Sequence, residues 1–211
     1  LVHPANFLLL PTEDESISLI DFYVFRFVCA KLKGWIDNGR QAFPVSVNFS
    51  TASLMQPSFV EQLTAICSSY HISPRYMQIE VTERVHDMEG LDIKYLISKL
   101  RQAGFTVAID DFGTEYANLA LLSEVEFDVL KLDKSMIDNI SSNPKTKAVV
   151  ESISEICTKL GIDMVAEGIE TEEQFSTLRS CGVGLAQGFL FSRPISTDEY
   201  EERYLNTTID K

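Results

Sequence analysis

At 211 residues, 45% of them apolar, the chain carries enough hydrophobic material for the core of one domain, which excludes disorder as its overall state. Its 18 Lys and Arg against 31 Asp and Glu give a formal net charge of −13, a sign that repels a nucleic-acid backbone, so any phosphate it handles is expected to arrive with metal ions. No apolar run reaches the roughly 20 residues of a membrane-spanning helix; the longest candidate, 17–32, is broken by Asp21, Arg26 and Lys31, and the chain reads as soluble.

The first residues, Leu1-Val-His-Pro-Ala-Asn-Phe7, show no initiator Met, basic segment or signal-peptide pattern, so the chain is expected to be a piece of a longer protein. A first helix carries Ile17, Ile20, Val24, Phe27 and Val28 at helical spacing, and Phe22 to Phe27 read as ordinary core or interface. A strand is expected at Val45–Phe49, then a helix opened by Pro57 and carrying Phe59, Leu63, Ile66 and Tyr70. Met77–Val81 reads as a strand, Ile93, Leu96, Leu100 and Ala103 as the stripe of a helix ending before Gly104, and Thr106–Asp110 and Val129–Leu132 as two more strands. A helix with Val149, Ile153, Ile156 and Leu160 stops at Gly161, and a strand follows at Asp163–Ala166. Thr171 and Gln174 stand at capping-box spacing ahead of Phe175 and Leu178 in a last helix ending near Gly182, with a weaker strand at Gly184–Gln187. Cys29, Cys67, Cys157 and Cys181 form no Cys-x-x-Cys pair, and reduced buried thiols are expected.

Strand and helix repeated in this way predict right-handed crossovers and a parallel sheet, open or closed. One face of each strand is apolar: Val45, Val47 and Phe49; Ile79 and Val81; Val107 and Ile109; Leu130 and Leu132; Met164 and Ala166. The other face ends repeatedly in a polar group: Asn48, Glu80, Asp110, Lys131, Glu167, Gln187. A sheet buried on both faces would read as continuous apolar runs, so the expected fold is α/β, a TIM-like (β/α)8 barrel with its site at the carboxyl-end mouth. Its first strand is expected to lie upstream of Leu1, and residues 1–211 are expected to form a single domain.

Glu80, Asp110, Asp111 and Glu167, with the Asn48 amide, would repel one another at one mouth without a counter-charge. All are oxygen donors and none of the three histidines, His3, His71 and His86, falls at a strand end, so Mg²⁺ or Mn²⁺ fits better than zinc. Two such ions roughly 3.5–4 Å apart can bridge a nucleophile and polarise a phosphoryl oxygen. Asp110 and Asp111 would face opposite ways within a regular strand and can serve together only where it turns into its loop, a turn that Gly113 is expected to supply. Lys131 reads either as a partner in a buried ion pair or as a cation that orients a water and a phosphate; its carboxylate neighbours argue against a Schiff-base lysine. Glu83 and Glu170 read as solvated or capping residues, or as groups that fix loops from behind.

The series Ser46-Val-Asn-Phe-Ser50, Glu80-Val-Thr-Glu83, Asp110-Asp-Phe-Gly-Thr114, Lys131-Leu-Asp133, Ala166-Glu-Gly-Ile-Glu170 and Gln187-Gly-Phe-Leu-Phe-Ser-Arg-Pro194 closely resembles the EAL-domain family of cyclic-di-GMP phosphodiesterases, from about Leu1 to about Tyr200. Protein kinases also use Asp-Phe-Gly, but no Gly-rich loop or His-Arg-Asp segment accompanies it here. The resemblance implies hydrolysis of cyclic di-GMP to linear pGpG with two Mg²⁺ or Mn²⁺ ions. It implies Asn48, Glu80 and Asp110 as ligands of the first metal, with Asp110 bridging to a second that Asp111 helps to hold. Lys131, Glu167 and Asp111 would form the catalytic set, Gln187 and Asp133 the substrate-binding side, and Glu83 and Glu170 the loop-positioning pair. It further implies a homodimer, an upstream sensory or GGDEF-type domain in the parent protein, and placement of this domain in the cytoplasm, with no nucleic-acid polymer as partner.

Three departures stand out. The Glu-x-Leu signature on the family's first strand is absent from these residues, and with it one metal-ligand glutamate and an arginine; these residues alone are therefore expected to be impaired and prone to pair with another chain. Glu115 replaces the second glycine of the usual Gly-Thr-Gly-Tyr, which costs about 1 kcal/mol or more if that position needs positive φ. Leu10-Pro-Thr-Glu13 replaces the usual Leu-Ala-Glu-Glu. The competing expectation is a catalytically impaired domain that binds cyclic di-GMP as a sensor or interaction module.

Overall fold

Strands and helices alternate in the computed structural model, which describes residues 14–83, 92–114 and 119–205. Helix α1 (Asp14–Asp37) leads into β1 (Val45–Asn48), the short α2 (Thr51–Leu54) and α3 (Phe59–Ser69). A 3-10 turn at Pro74–Tyr76 opens β2 (Met77–Thr82), followed by α4 (Ile93–Gln102) and β3 (Thr106–Phe112). Then come the short α5 (Leu119–Glu124), β4 (Val129–Leu132), the short α6 (Lys134–Ile137) and α7 (Pro144–Leu160). The remainder is β5 (Asp163–Ala166), α8 (Glu172–Ser180), β6 (Leu185–Ala186), α9 (Thr197–Tyr200) and a π-helical turn at Glu201–Leu205. The expected strands all form within a residue or two of their expected ends, and α8 opens on the expected Thr171–Gln174 capping box. No described helix is long and apolar enough to cross a membrane.

The six described strands make one parallel sheet in the order β1-β2-β3-β4-β5-β6. A doubly wound sheet reverses its order at a switch point, whereas an unbroken order with right-handed crossovers keeps the helices on one face and curls the sheet toward a barrel. The fold is thus the TIM-like one, and among the described residues six strands stand where eight would close it. Among the described residues β1 pairs only with β2 and β6 only with β5. A cavity of about 460 Å³ lies between Val45 and Ser46 on the β1 side and Gln187, Ile195 and Tyr200 on the other. The Trp35 and Tyr200 rings in its lining are centred 5.6 Å apart, and Glu201 pairs with Lys31 at 3.1 Å and Arg40 at 3.0 Å.

The apolar strand face, Val47, Ile79, Val81, Val107, Ile109, Leu130, Leu132, Met164 and Ala166, is buried beneath the helices. Leu63 and Ile66 of α3, Ile97 and Leu100 of α4 and Ile153 of α7 complete that layer, each fully buried apolar side chain contributing about 1.5–3 kcal/mol. Edge-on aromatic contacts join α1 to the end of β1 and to α3, with Phe49 and Phe59 centred 4.9 Å apart. All four cysteines are free and buried, as expected.

Two helices turn a different face inward from the one their spacing suggests. In α1 the buried set is Ser18, Phe22, Phe25, Cys29, Leu32 and Trp35, while Ile20, Val24 and Phe27 remain 40, 41 and 45% exposed. The helix is apolar nearly all round, so two stripes compete, and the one richer in aromatic volume along the whole length fills the space over the sheet. In α7 the expected Val149 and Leu160 are exposed, and Val150, Ile153, Ser154 and Cys157 pack inward. Adjacent Val149 and Val150 make its stripe ambiguous by one position.

Candidate active site

Alternation along the strands aims one residue from each of β2, β3 and β4 away from the helices. These are Glu80, Asp110 and Lys131, all buried, and Glu167 follows just past the end of β5. Lys131 Nζ lies 2.7 Å from Glu80 Oε1, 3.0 Å from Asp110 Oδ1 and 2.8 Å from Glu167 Oε1. Three carboxylates from three neighbouring elements therefore share one ammonium. Burial works to lower the Lys131 pKa, but the close Glu167 and Glu80 carboxylates and the charge of Asp110 outweigh it, so the group sits well above its ordinary value. Glu167 moves up: burial is the largest cause, and repulsion from Asp110 and Glu80 adds to it against the pull of Lys131. A lysine so held stays charged, which is the opposite of what Schiff-base chemistry needs.

The Asp110-Asp111 pair sits on a β-bulge. Between the pairings Ile109–Leu130 and Phe112–Leu132, β3 advances one residue more than β4. The extra residue is accommodated at Asp111, whose φ is +57°, and its N–H donates to Asp110 Oδ1 at 3.0 Å. Asp and Asn tolerate this left-handed conformation better than other side chains, but it still stores strain. The chain thus begins to turn at Asp111, within the strand, and Gly113 continues the turn as expected, with Thr114 N–H donating to Asp111 O at 3.3 Å. Gly113 also lets the loop pass close to α6 and meet Glu83. At its φ of +98°, a Cβ there would lie 2.1 Å from Met136 Sδ, and its N–H donates to Glu83 Oε2 at 3.1 Å. Glu83 thereby ties the end of β2 to the loop after Asp110-Asp111.

The remaining expected residues spread around the rim. Asn48 ends β1, exposed, in register with Glu80 on β2. Gln187 is exposed beside Glu167; its N–H donates to Ala166 O at 2.8 Å and its carbonyl accepts from Ile169 N at 3.1 Å. Gly188 permits that approach, since a Cβ there would fall 2.2 Å from Ile169 O. Glu170 is exposed and ion-paired with Lys134 of α6, so it ties the turn after β5 to the turn after β4. Asp133 is not among the carboxylates on Lys131: it caps α6, accepting from Ser135 N at 2.8 Å. Burial works to raise its pKa, but hydrogen bonds from Ser135 and Lys134 outweigh it and hold the carboxyl below its usual value. His71 lies at the end of α3, with Nδ1 2.9 Å from Ser68 O. His3, His86, Glu115, Leu1–Phe7 and Leu10–Glu13 lie outside the described residues.

Among the described residues, no group of three or more His, Cys, Asp or Glu side chains is arranged to hold a metal ion. The carboxylates expected to repel one another have a counter-charge within the chain, because Lys131 draws three of them onto its ammonium. The donor set nevertheless suits a hard divalent cation: three carboxylates against one ammonium leave two negative charges, and every available donor is oxygen. Glu167 Oε1, buried and without an aligned hydrogen bond despite its closeness to Lys131, is an oxygen such an ion could satisfy.

The EAL domain family matches residues 1–194. The chain is 29% identical over 202 residues to the cyclic di-GMP phosphodiesterase PA2567 of Pseudomonas aeruginosa, a match that covers 95% of this chain and 34% of that protein. It therefore spans about a third of that relative's length. Among solved structures, the PaMucR phosphodiesterase in complex with c-di-GMP superposes with a TM-score of 0.85 at 28% identity, over 94% of this chain and 81% of that one. A Klebsiella pneumoniae BlrP1 structure, a manganese and cyclic di-GMP complex, gives 0.80 at 33% identity, over 90% of this chain and 48% of that one.

Proposed function

The chain belongs to the EAL domain family, and from that premise we propose that it hydrolyses one phosphodiester of cyclic di-GMP to linear pGpG with the help of two Mg²⁺ or Mn²⁺ ions. The observation that carries the reading is the Lys131 ammonium held between Glu80, Asp110 and Glu167 at the carboxyl ends of the strands. Asn48, Glu80, Asp110 and Asp111 would hold the ions, which when bound supply Lewis-acid polarisation of the phosphoryl oxygens and a water activated at neutral pH. Lys131 remains charged, so it donates: it orients a water oxygen or offsets charge growing on the phosphoryl group. Glu167 fixes the Lys131 ammonium from the far side, and Gln187 faces the nucleotide at the rim.

Glu83 holds the loop after Asp110-Asp111 through Gly113, Glu170 holds the turn after β5 through Lys134, and Asp133 contributes to the substrate side through the α6 turn it caps. Homodimerisation, an upstream sensory or GGDEF-type domain and a cytoplasmic setting belong to the same reading. One observation favours binding without turnover. With Glu80 and Asp110 paired at 2.7 and 3.0 Å, a cation must compete with Lys131 for them. Chromatography of cyclic di-GMP incubated with Mn²⁺ and the full-length protein separates the two readings. Formation of pGpG, abolished in Glu80→Gln, is the expected result; nucleotide bound and left intact sinks hydrolysis in favour of a sensor.

A further inference from the structure

Asp21 does not figure in the site, yet its carboxylate is the most heavily hydrogen-bonded one described on α1. Asp21 Oδ2 accepts from Ser50 N at 2.9 Å, from Ser50 Oγ at 2.6 Å and from Ser53 Oγ at 2.7 Å. Ser53 is fully buried, and its Oγ also lies 3.2 Å from Ser18 Oγ. A hydroxyl has one proton to give. With the Ser53 proton on the carboxylate, Ser18 must donate to Ser53, and the chain of bonds runs one way, from α1 through Ser18 and Ser53 back to Asp21. Ser50 is at the same time the N-cap of α2, its Oγ accepting from Ser53 N.

From this geometry we infer that Asp21 is a positioning residue for Asn48. Ser50 follows Asn48 by two residues, and the backbone N–H that Asp21 holds belongs to the turn leaving β1 at the mouth. The Asp21 clamp ties that turn to the helix layer, and the charge on the acceptor makes each of its bonds stronger than a neutral one. This rests on the reading of Asn48 as a residue of the metal-holding mouth. A matched comparison exists at the other end of the sheet, where Asp128 Oδ2 accepts from Val107 N at 2.9 Å far from the mouth.

The test uses the full-length protein, Mn²⁺ titrated without nucleotide, and hydrogen exchange at the Ser50 amide. Asp21→Ala is expected to speed exchange at Ser50 and weaken Mn²⁺ binding about 10–100-fold, as loss of a group supporting a ligand does. Asp21→Asn, which retains an acceptor oxygen, should recover part of both, and Asp128→Asn should leave Mn²⁺ binding within twofold of wild type. Should Asp21→Ala not fold, Ser53→Ala removes one bond from the same oxygen and is expected to weaken binding several-fold. Wild-type affinity in a folded Asp21→Ala, or in Ser53→Ala where that variant stands in for it, overturns the inference alone. A wild-type protein that binds no Mn²⁺ overturns the functional reading and this inference with it.

Discussion

The two ends of the sheet use the same kinds of side chain to opposite effect. At the amino end, Arg101 bridges Glu126 at 3.1 Å and Asp128 at 3.2 Å, with Glu126 93% exposed. At the carboxyl end, Lys131 is buried with Glu80 and Asp110 and paired also with the half-buried Glu167. The larger cavity, about 760 Å³, opens at the amino end and is lined there by Arg101, Glu126 and Asp128, but its charges are solvated, where an ion pair stabilises by about 1 kcal/mol or less. Strain follows the same division, since β3 carries its bulge and its positive-φ Asp111 at the mouth. Cavity size alone would point to the wrong end. Excess charge, burial and a distorted strand point to the chemistry.

The largest expected effect breaks the mouth directly. Lys131→Met leaves Glu80 and Asp110 buried, and Glu167 half-buried, with no cation, and removal of one partner from a buried ionic group costs about 3–5 kcal/mol. Urea denaturation in metal-free buffer measures it. Added Mn²⁺ should restore part of the loss, because an ion can take over the counter-charge. A loss under about 1 kcal/mol, the range of solvated pairs, would mean that the mouth is as solvated as the floor of the sheet, its amino end around Arg101.

Between the two ends lies the helix layer, and it sets the alkaline limit. Burial raises the Cys157 thiol from 9.0 to about 11. The unfolded chain then loses its proton first as pH rises. The stability attached to this group is present in full below pH 9 and is lost between about pH 9 and 11, a change of about 2.7 kcal/mol at most. Stability against pH for wild type and Cys157→Ala checks it: the variant starts lower, and its slope over that window should be shallower. Equal slopes would show that the thiol does not contribute.

Strain at the mouth gives a smaller effect with an informative sign. Asp111→Gly should relieve the left-handed backbone and stabilise by about 1 kcal/mol, while turnover of cyclic di-GMP falls because a carboxylate of the mouth is gone. Calorimetry beside a turnover assay reads both. A variant that is less stable and still fully active would place the strain elsewhere.

How much of this the sequence discloses depends on whether a signal is local. The strands and the mouth residues are legible because each strand pairs an apolar face with a polar end, a period-two pattern that survives any packing partner. The α1 face is not, because Phe22 and Phe25 compete with Ile20, Val24 and Phe27 on one helix and only the shape of the sheet beneath decides. The bulge leaves a partial trace in adjacent Asp110 and Asp111; its placement needs the register of β4. The Asp21 clamp is invisible, since nothing in the spacing of Ser18, Asp21, Ser50 and Ser53 shows that one oxygen gathers three donors.

The smallest expected effect tests the floor. Arg101→Gln removes a guanidinium that is itself partly exposed and pairs with Glu126 in water, and that pair should contribute little. Its other bond, to Asp128, differs in kind, because Asp128 also holds the Val107 amide at the start of β3. Without Arg101 the carboxylate keeps that backbone bond, for which a charge on the guanidinium is not required. The expected loss is therefore about 0.5–1 kcal/mol by urea denaturation, falling further at high salt as the remaining Coulomb term is screened, with no change in turnover. If Arg101→Gln instead costs as much as Lys131→Met, or slows hydrolysis, the floor is coupled to the mouth through β3, and the division between a solvated end and a chemical end does not hold.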